Sequence, residues 1–158
     1  MRAKDIMTKK VIVVHDTDTI DKVAKLLIKN EISGVPVVNS ENKLVGILSE
    51  GDLVFQQKKL TPPFFLSLFD GFIQIGKSTF FEEMKKISAF EVKDLMTKDN
   101  LVIAQEDTEI SELATLIIKN RVNRIPIVNA NNEVVGIITR HDIVKANYKE
   151  VMDFRFKS

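Results

Sequence analysis

Ile20-Asp-Lys-Val-Ala-Lys-Leu-Leu-Ile-Lys-Asn30 returns ninety residues later as Ile110-Ser-Glu-Leu-Ala-Thr-Leu-Ile-Ile-Lys-Asn120. The same offset sets Gly34-Val-Pro-Val-Val-Asn39 over Arg124-Ile-Pro-Ile-Val-Asn129, and Leu44-Val-Gly-Ile-Leu-Ser49 over Val134-Val-Gly-Ile-Ile-Thr139. From Thr19–Phe55 against Glu109–Lys145, 15 of 37 positions are identical, and eight of the other 22 exchange Val, Ile and Leu. Upstream, Lys4-Asp-Ile-Met-Thr8 matches Lys93-Asp-Leu-Met-Thr97 at an offset of 89. An internal repeat of this length means one supersecondary unit built twice.

Each copy reads alike. Ile20, Val23, Ala24, Leu27 and Ile28 fall on one helical stripe. Thr17 or Thr19 is placed to cap that helix, as Asp107 or Thr108 is in the second copy. Val11–Val14 and Leu101–Ala104 are short β-branched runs that read as strands. Gly34–Val38 and Lys43–Leu48 form a hairpin around Asn39-Ser-Glu-Asn42, and Ile125–Val128 with Glu133–Ile138 repeats it. Pro36 and Pro126 lie within strand runs, which predicts an edge strand or a place where the backbone is left free for a ligand. A second helix follows Asp52 and Asp142. The fold class is therefore mixed α/β (α+β): two β-α-β-β-α units, each too small to bury its apolar face alone, packed sheet to sheet around a pseudo-two-fold axis. The repeats span 1–58 and 91–147, a Phe-rich insert spans 59–90, and 148–158 is a C-terminal tail.

Composition narrows the function. The 158 residues carry 23 basic and 22 acidic side chains, a net charge of +1, without the basic excess that counterion release to nucleic acid requires. The absence of Cys excludes a disulfide scaffold, a thiol nucleophile and a thiolate metal site, and fits a reducing cytoplasm. The start, Met1–Lys10, is charged and lacks the apolar region of a signal peptide. The most apolar stretch, Phe64–Ile75, contains Asp70 and is shorter than the roughly 20 residues a membrane helix needs. A soluble cytoplasmic protein is expected.

The chemistry-bearing pattern sits at each hairpin's exit: Gly46-Ile-Leu-Ser49-Glu-Gly-Asp52 and Gly136-Ile-Ile-Thr139-Arg-His-Asp142. A hydroxyl three residues before a carboxylate is a capping box. The same pattern also offers a phosphate a hydroxyl and helix amides, and offers a ribose diol a carboxylate. The two uses are compatible. No paired carboxylates, Ser-His-Asp set or His cluster converges, so intrinsic catalysis is not expected.

The doubled unit resembles a tandem pair of CBS domains, such as occurs in IMP dehydrogenase, in the gamma subunit of AMP-activated protein kinase, and as a stand-alone bacterial or archaeal protein. The repeated Asp-Ile-Met-Thr8, Gly-Val-Pro36-Val-Val and Gly-Ile-Leu-Ser49-Glu-Gly-Asp52 carry the resemblance. It implies a non-catalytic regulatory module that binds AMP, ADP, ATP or S-adenosylmethionine in the clefts between repeats. It also implies that Ser49 and Thr139 touch phosphate or ribose, that Asp52 and Asp142 hold ribose hydroxyls, and that Thr8, Thr97, Ser33, Pro36, Asn123 and Pro126 line the clefts. Asn123-Arg124 resembles the family's phosphate-contacting stretch, and the first copy has the uncharged Ser33-Gly34 there. Arg140 and His141 add possible cations where the first copy has Glu50-Gly51. A phosphate needs cations, which makes the Thr139–Asp142 cleft the occupied one. The bland alternative for Arg124 and Arg140 is a solvated surface charge.

Two further features stand apart. Gly71-Phe-Ile-Gln-Ile-Gly76-Lys77-Ser78 fits the G-x-x-x-x-G-K-S phosphate-loop pattern, but the repeats supply no parallel sheet for it and its variable positions are bulky. Seven of ten Phe residues fall in the insert. That predicts an amphipathic helix over 64–75, serving as satellite core, subunit interface or lid. A homodimer is expected; the alternative function is a ligand-independent interaction module using this insert.

Overall fold

The computed structural model describes residues 1–53 and 90–155. The phosphate-loop pattern with Lys77, the helix expected over 64–75, and every Phe of the insert except Phe90 lie outside them. The chain is mixed α/β. In order come α1 (Ala3–Ile6), β1 (Val14–His15), α2 (Ile20–Asn30), β2 (Gly34–Val38) and β3 (Leu44–Ser49), with a helix opening at 50–53. Then follow α3 (Val92–Leu95), α4 (Ile110–Asn120), β4 (Arg124–Val128), β5 (Val134–Thr139) and α5 (Arg140–Arg155). The last helix continues to Arg155, into the stretch expected as a tail. Among the described residues, no helix is long and apolar enough to cross a membrane.

The two compact units are not the two sequence repeats. Among the described residues, one comprises 1–12, 42–44 and 100–155; the other comprises 13–41, 45–53 and 90–99. Each lead-in motif thus packs with the other repeat's sheet. The reason is local. Asp5 accepts the Arg2 amide at 2.8 Å and closes α1, so Thr8 emerges extended and exchanges backbone hydrogen bonds with Ile137 at 3.0 and 3.1 Å. Asp94 closes α3 in the same way through the Glu91 amide, and Thr97 pairs with Ile47 at 2.9 and 3.0 Å. Between these anchors the Met of each motif lies against a glycine. A Cβ on Gly136 would overlap Met7 Sδ, and one on Gly46 would stand 2.5 Å from Met96 Sδ. An added Cβ would force each methionine to shift, so glycine permits the close approach at both places.

Helix stripes behave as the periodicity predicts, with one correction. Ile20, Val23 and Leu27 are buried, as are Ile110, Leu113 and Ile117. Ile28 and Ile118, expected on the stripe, are 78% and 75% exposed. At about 100° per residue they sit at the stripe's edge, beyond the sheet's reach. Thr19 caps α2, accepting the Lys22 amide at 3.4 Å. In the second copy the cap is Glu109, not Asp107 or Thr108, and its side chain makes no capping hydrogen bond. Thr108 instead accepts the Gln105 amide at 3.1 Å and closes the turn before the helix.

The hairpin strands form much as expected, but the first strand of each copy is shorter than its β-branched run. Only Val14–His15 of the first run is strand, paired parallel to Val37 and Val38. In the second run Ala104 alone bridges Ile127. The sheet order β1-β2-β3 makes β2 central, so Pro36 is not on an edge strand. On the β1 side the register opposes only Val37 and Val38, so β1 does not call for the missing N–H at 36. β4 pairs antiparallel with β5 in a two-stranded sheet. Each unit has its own core. One gathers Ala3, Met7, Leu113, Ile125, Ile127, Ile138 and Ile143; the other buries Val14, Val23, Leu27, Val35, Val37, Leu48 and Val92.

Candidate functional site

The end of β5 and the start of α5 place the first cluster. Thr139 is the last residue of β5, and α5 begins at Arg140, so Asp142 lies inside the first turn rather than before the helix. Asp142 Oδ2 accepts the Thr139 amide at 2.8 Å and the Thr139 hydroxyl at 2.6 Å, while Thr139 Oγ1 stands 3.4 Å from the Asp142 amide. The capping box is therefore real. It occupies one carboxylate oxygen. Among the described residues no donor reaches Asp142 Oδ1, and an ionised carboxylate oxygen can only accept.

Sheet register brings the remaining residues beside this turn. Arg124 is the direct cross-strand partner of Thr139, a spacing that brings side chains on one face into contact range. Asn123 is tied in through its carbonyl, which accepts the Arg140 amide at 3.2 Å. Thr8 lies along β5 opposite Ile137, two residues from Thr139. Arg124 is 8% exposed, and it is the single charged side chain buried among the described residues. The solvated-surface reading of Arg124 is thereby overturned. Arg140 is exposed, with Nε donating to the Val122 carbonyl at 3.2 Å. His141 and Asn123 are exposed, and Pro126 is buried within β4.

The other unit builds the same turn from different chemistry. Asp52 Oδ2 accepts the Ser49 amide at 2.8 Å and the Ser49 hydroxyl at 3.0 Å. The Glu50 amide donates to the Ser33 carbonyl at 3.0 Å, repeating the Arg140–Asn123 link. Gly34 stands where the other unit has Arg124. Thr97 adds a hydrogen bond without a counterpart: its hydroxyl donates to Asp52 Oδ1 at 3.3 Å, at the long end for such a bond. Pro36, like Pro126, is buried within its strand. Sequence reading missed the Thr97–Asp52 bond and the burial of Arg124; an Arg opening a strand of otherwise apolar residues was the available signal for the second.

Neither of two open hollows coincides with these turns. One, about 450 Å³, is lined by residues including Arg2, Ser111 and Asn147; the other, about 370 Å³, by residues including Lys4, Glu106 and Asn129. Among the described residues no group of three or more His, Cys, Asp or Glu could hold a metal ion.

Known proteins share this arrangement. An uncharacterised protein of Methanocaldococcus jannaschii is 37% identical over 92% of this chain and 90% of its own length. The inosine-5′-monophosphate dehydrogenase of the same organism is 35% identical over 91% of this chain. The chain spans only 23% of that enzyme, and 62% of the chloroplastic CBS domain-containing protein CBSX1 of Arabidopsis thaliana, to which it is 32% identical. Among solved structures, Arabidopsis CBSX2 in complex with AMP superposes with a TM-score of 0.70 at 25% identity, covering 94% of this chain and 96% of that one. A CBS domain pair in complex with 5′-methylthioadenosine and S-adenosyl-L-methionine gives 0.70 at 27%, covering 95% and 98%. The CBS domain model matches twice, over residues 3–58 and 92–149, so the chain belongs to the CBS domain family as a tandem pair.

Proposed function

We propose that this chain is a non-catalytic regulatory module that binds an adenosine derivative (AMP, ADP, ATP or S-adenosylmethionine) at the Thr139–Asp142 turn. One observation carries the reading. The capping box fixes Asp142 through Oδ2 and leaves Oδ1 to accept a ligand hydroxyl, while the buried Arg124 lies directly across the strand from Thr139. A rigid acceptor and a cation side by side suit a ribose diol joined to a phosphate. The AMP bound by CBSX2 supports this choice of ligand class. Thr8, Asn123, Arg140 and His141 are the proposed remaining contacts, and Ser33, Ser49 and Asp52 form the corresponding set in the other unit, where Thr97 stands beside them and holds Asp52 Oδ1. The matching exposed Ile28 and Ile118 support a homodimer; a sedimentation mass equal to the 17.9 kDa chain would exclude it.

Calorimetric titration of AMP, ATP and S-adenosylmethionine tests the reading. Asp142→Ala should weaken AMP by about 1.5–3 kcal/mol, the range for hydrogen bonds to a charged group, or ten- to a hundredfold. Circular dichroism must show the variant folded, because the same substitution removes a helix cap. Unchanged affinity in a folded variant would reduce the motif to its capping role.

A further inference from the structure

We infer that the two turns divide adenosine derivatives by the charge on their 5′ substituent: the Thr139–Asp142 turn takes a phosphate-bearing one, and the Ser49–Asp52 turn takes a neutral or sulfonium-bearing one. This rests on the adenosyl-binding reading above and adds a ligand class for each turn. The two turns share a fixed carboxylate, although at Asp52 the second oxygen, Oδ1, already accepts the Thr97 hydroxyl at 3.3 Å and keeps one further lone pair for a diol. Each has a carboxylate fixed through Oδ2 by the hydroxyl and amide three residues earlier. They differ where a 5′ substituent would be read.

In one unit Arg124 is buried across from Thr139, and Arg140 follows it at the helix start. In the other, Gly34 and Glu50 hold those positions. The backbone links that place them are the same, Arg140 N to Asn123 O at 3.2 Å and Glu50 N to Ser33 O at 3.0 Å. The side chains at 50 and 140 therefore leave equivalent points of the two folds with opposite charge. Lys9 and Lys98 follow Thr8 and Thr97 in each unit and cancel in the comparison. A phosphate at the Ser49 turn would meet Glu50 and Asp52 without the buried guanidinium. A sulfonium at the Thr139 turn would face two arginines. Like charges at such separations, only partly screened near a surface, exclude the wrong partner more effectively than matched charges improve the right one.

The experiment uses AMP and 5′-methylthioadenosine, which share adenosine and differ only at the 5′ position. Wild type should bind both together, one of each per chain, without displacement. Asp142→Ala should weaken AMP at least tenfold more than methylthioadenosine, and Asp52→Ala should reverse that order. Raising salt from about 50 to about 500 mM should weaken AMP several-fold and methylthioadenosine less than twofold. Glu50→Arg, an exposed substitution, should let a second AMP bind. Mutual displacement at one shared turn would overturn the division while leaving the adenosyl reading standing. Failure of AMP, methylthioadenosine and S-adenosylmethionine all to bind wild type would overturn both.

Discussion

Thr139 and Ser49 close the same turn in the same way, yet the two turns present different surfaces. At Asp142 the capping box takes one carboxylate oxygen and no described donor takes the other. At Asp52 the box takes one oxygen and Thr97 takes the second. Across the strand, Arg124 is matched by Gly34, and at the helix start Arg140 is matched by Glu50. The shared part is what the fold needs, since a helix start must satisfy its amides in either copy. The divergent part contributes nothing to that requirement. A buried guanidinium carries a desolvation cost of several kcal/mol that Gly34 avoids. The duplication thus separates two sets of residues within one chain: what both copies keep closes the turn, and what one copy changes alters the charge beside it.

The largest effect expected from this comparison is at Arg124. Arg124→Met retains the apolar stem and removes the charge, so AMP should weaken ten- to a hundredfold while adenosine changes less than threefold, from about 1.5–3 kcal/mol of charge-assisted bonding to phosphate. An equal loss for adenosine would place Arg124 in the scaffold and erase the distinction from Gly34. Next in size is the glycine beneath each methionine. Gly136→Ala should lower unfolding free energy in urea by about 1–3 kcal/mol, the range for overpacking a filled core. Gly46→Ala should cost less. Met7 is only 9% exposed and the added methyl would also meet its Cβ at 3.2 Å, whereas Met96 is half-buried and can swing its tip aside. Equal costs would mean that the Thr97 carbonyl, 3.0 Å from the Gly46 position, controls that site instead. Smaller still is Thr97→Val, which frees Asp52 Oδ1. Methylthioadenosine affinity should rise two- to fivefold, equivalent to roughly 0.5–1 kcal/mol for one long hydrogen bond. A loss of affinity would make Thr97 a ligand contact rather than a competitor.

How far the sequence could be read follows from what each feature depends on. The helices were legible because an apolar stripe is a property of the chain itself, and Ile28 was misjudged only because the width of a stripe depends on what covers it. The Ser49–Asp52 and Thr139–Asp142 turns were legible because a capping box acts over three residues. Pro36 was misread as an edge residue because strand order is decided by pairing partners distant in sequence, here a two-residue β1. Assignment of each lead-in to the other repeat's sheet was hidden for the same reason: Thr8 meets Ile137 and Thr97 meets Ile47 across long intervals. Arg124 shows the limit at the candidate site. Its charge is plain in the sequence, but its burial depends on the sheet around it.

The smallest expected effect compares the turns that precede the two long helices, where one copy uses a carboxylate and the other a hydroxyl. Asp18 accepts the His15 amide at 2.9 Å and the Lys22 ammonium at 2.6 Å. At the equivalent position, Thr108 accepts only the Gln105 amide, at 3.1 Å. Burial by itself would raise the Asp18 carboxyl, but the Lys22 ammonium and the His15 amide together hold it below its ordinary value. A depressed folded-state pKa contributes stability that is complete above the unfolded value near 4 and disappears as pH falls through the lower folded value. Asp18→Asn keeps an acceptor for His15 and loses the ion pair, which is exposed on its lysine side. It should therefore cost about 0.5 kcal/mol between pH 5 and 7, typical of such pairs, and the difference from wild type should close below about pH 4. Thr108→Ala has no titrating group, and its cost should stay level over the same range. Urea denaturation at pH 7, 5 and 3 distinguishes them. A gap between wild type and Asp18→Asn that persists at pH 3 would mean the charge is not what Asp18 contributes, and the two turns would then differ in side chain without differing in physics.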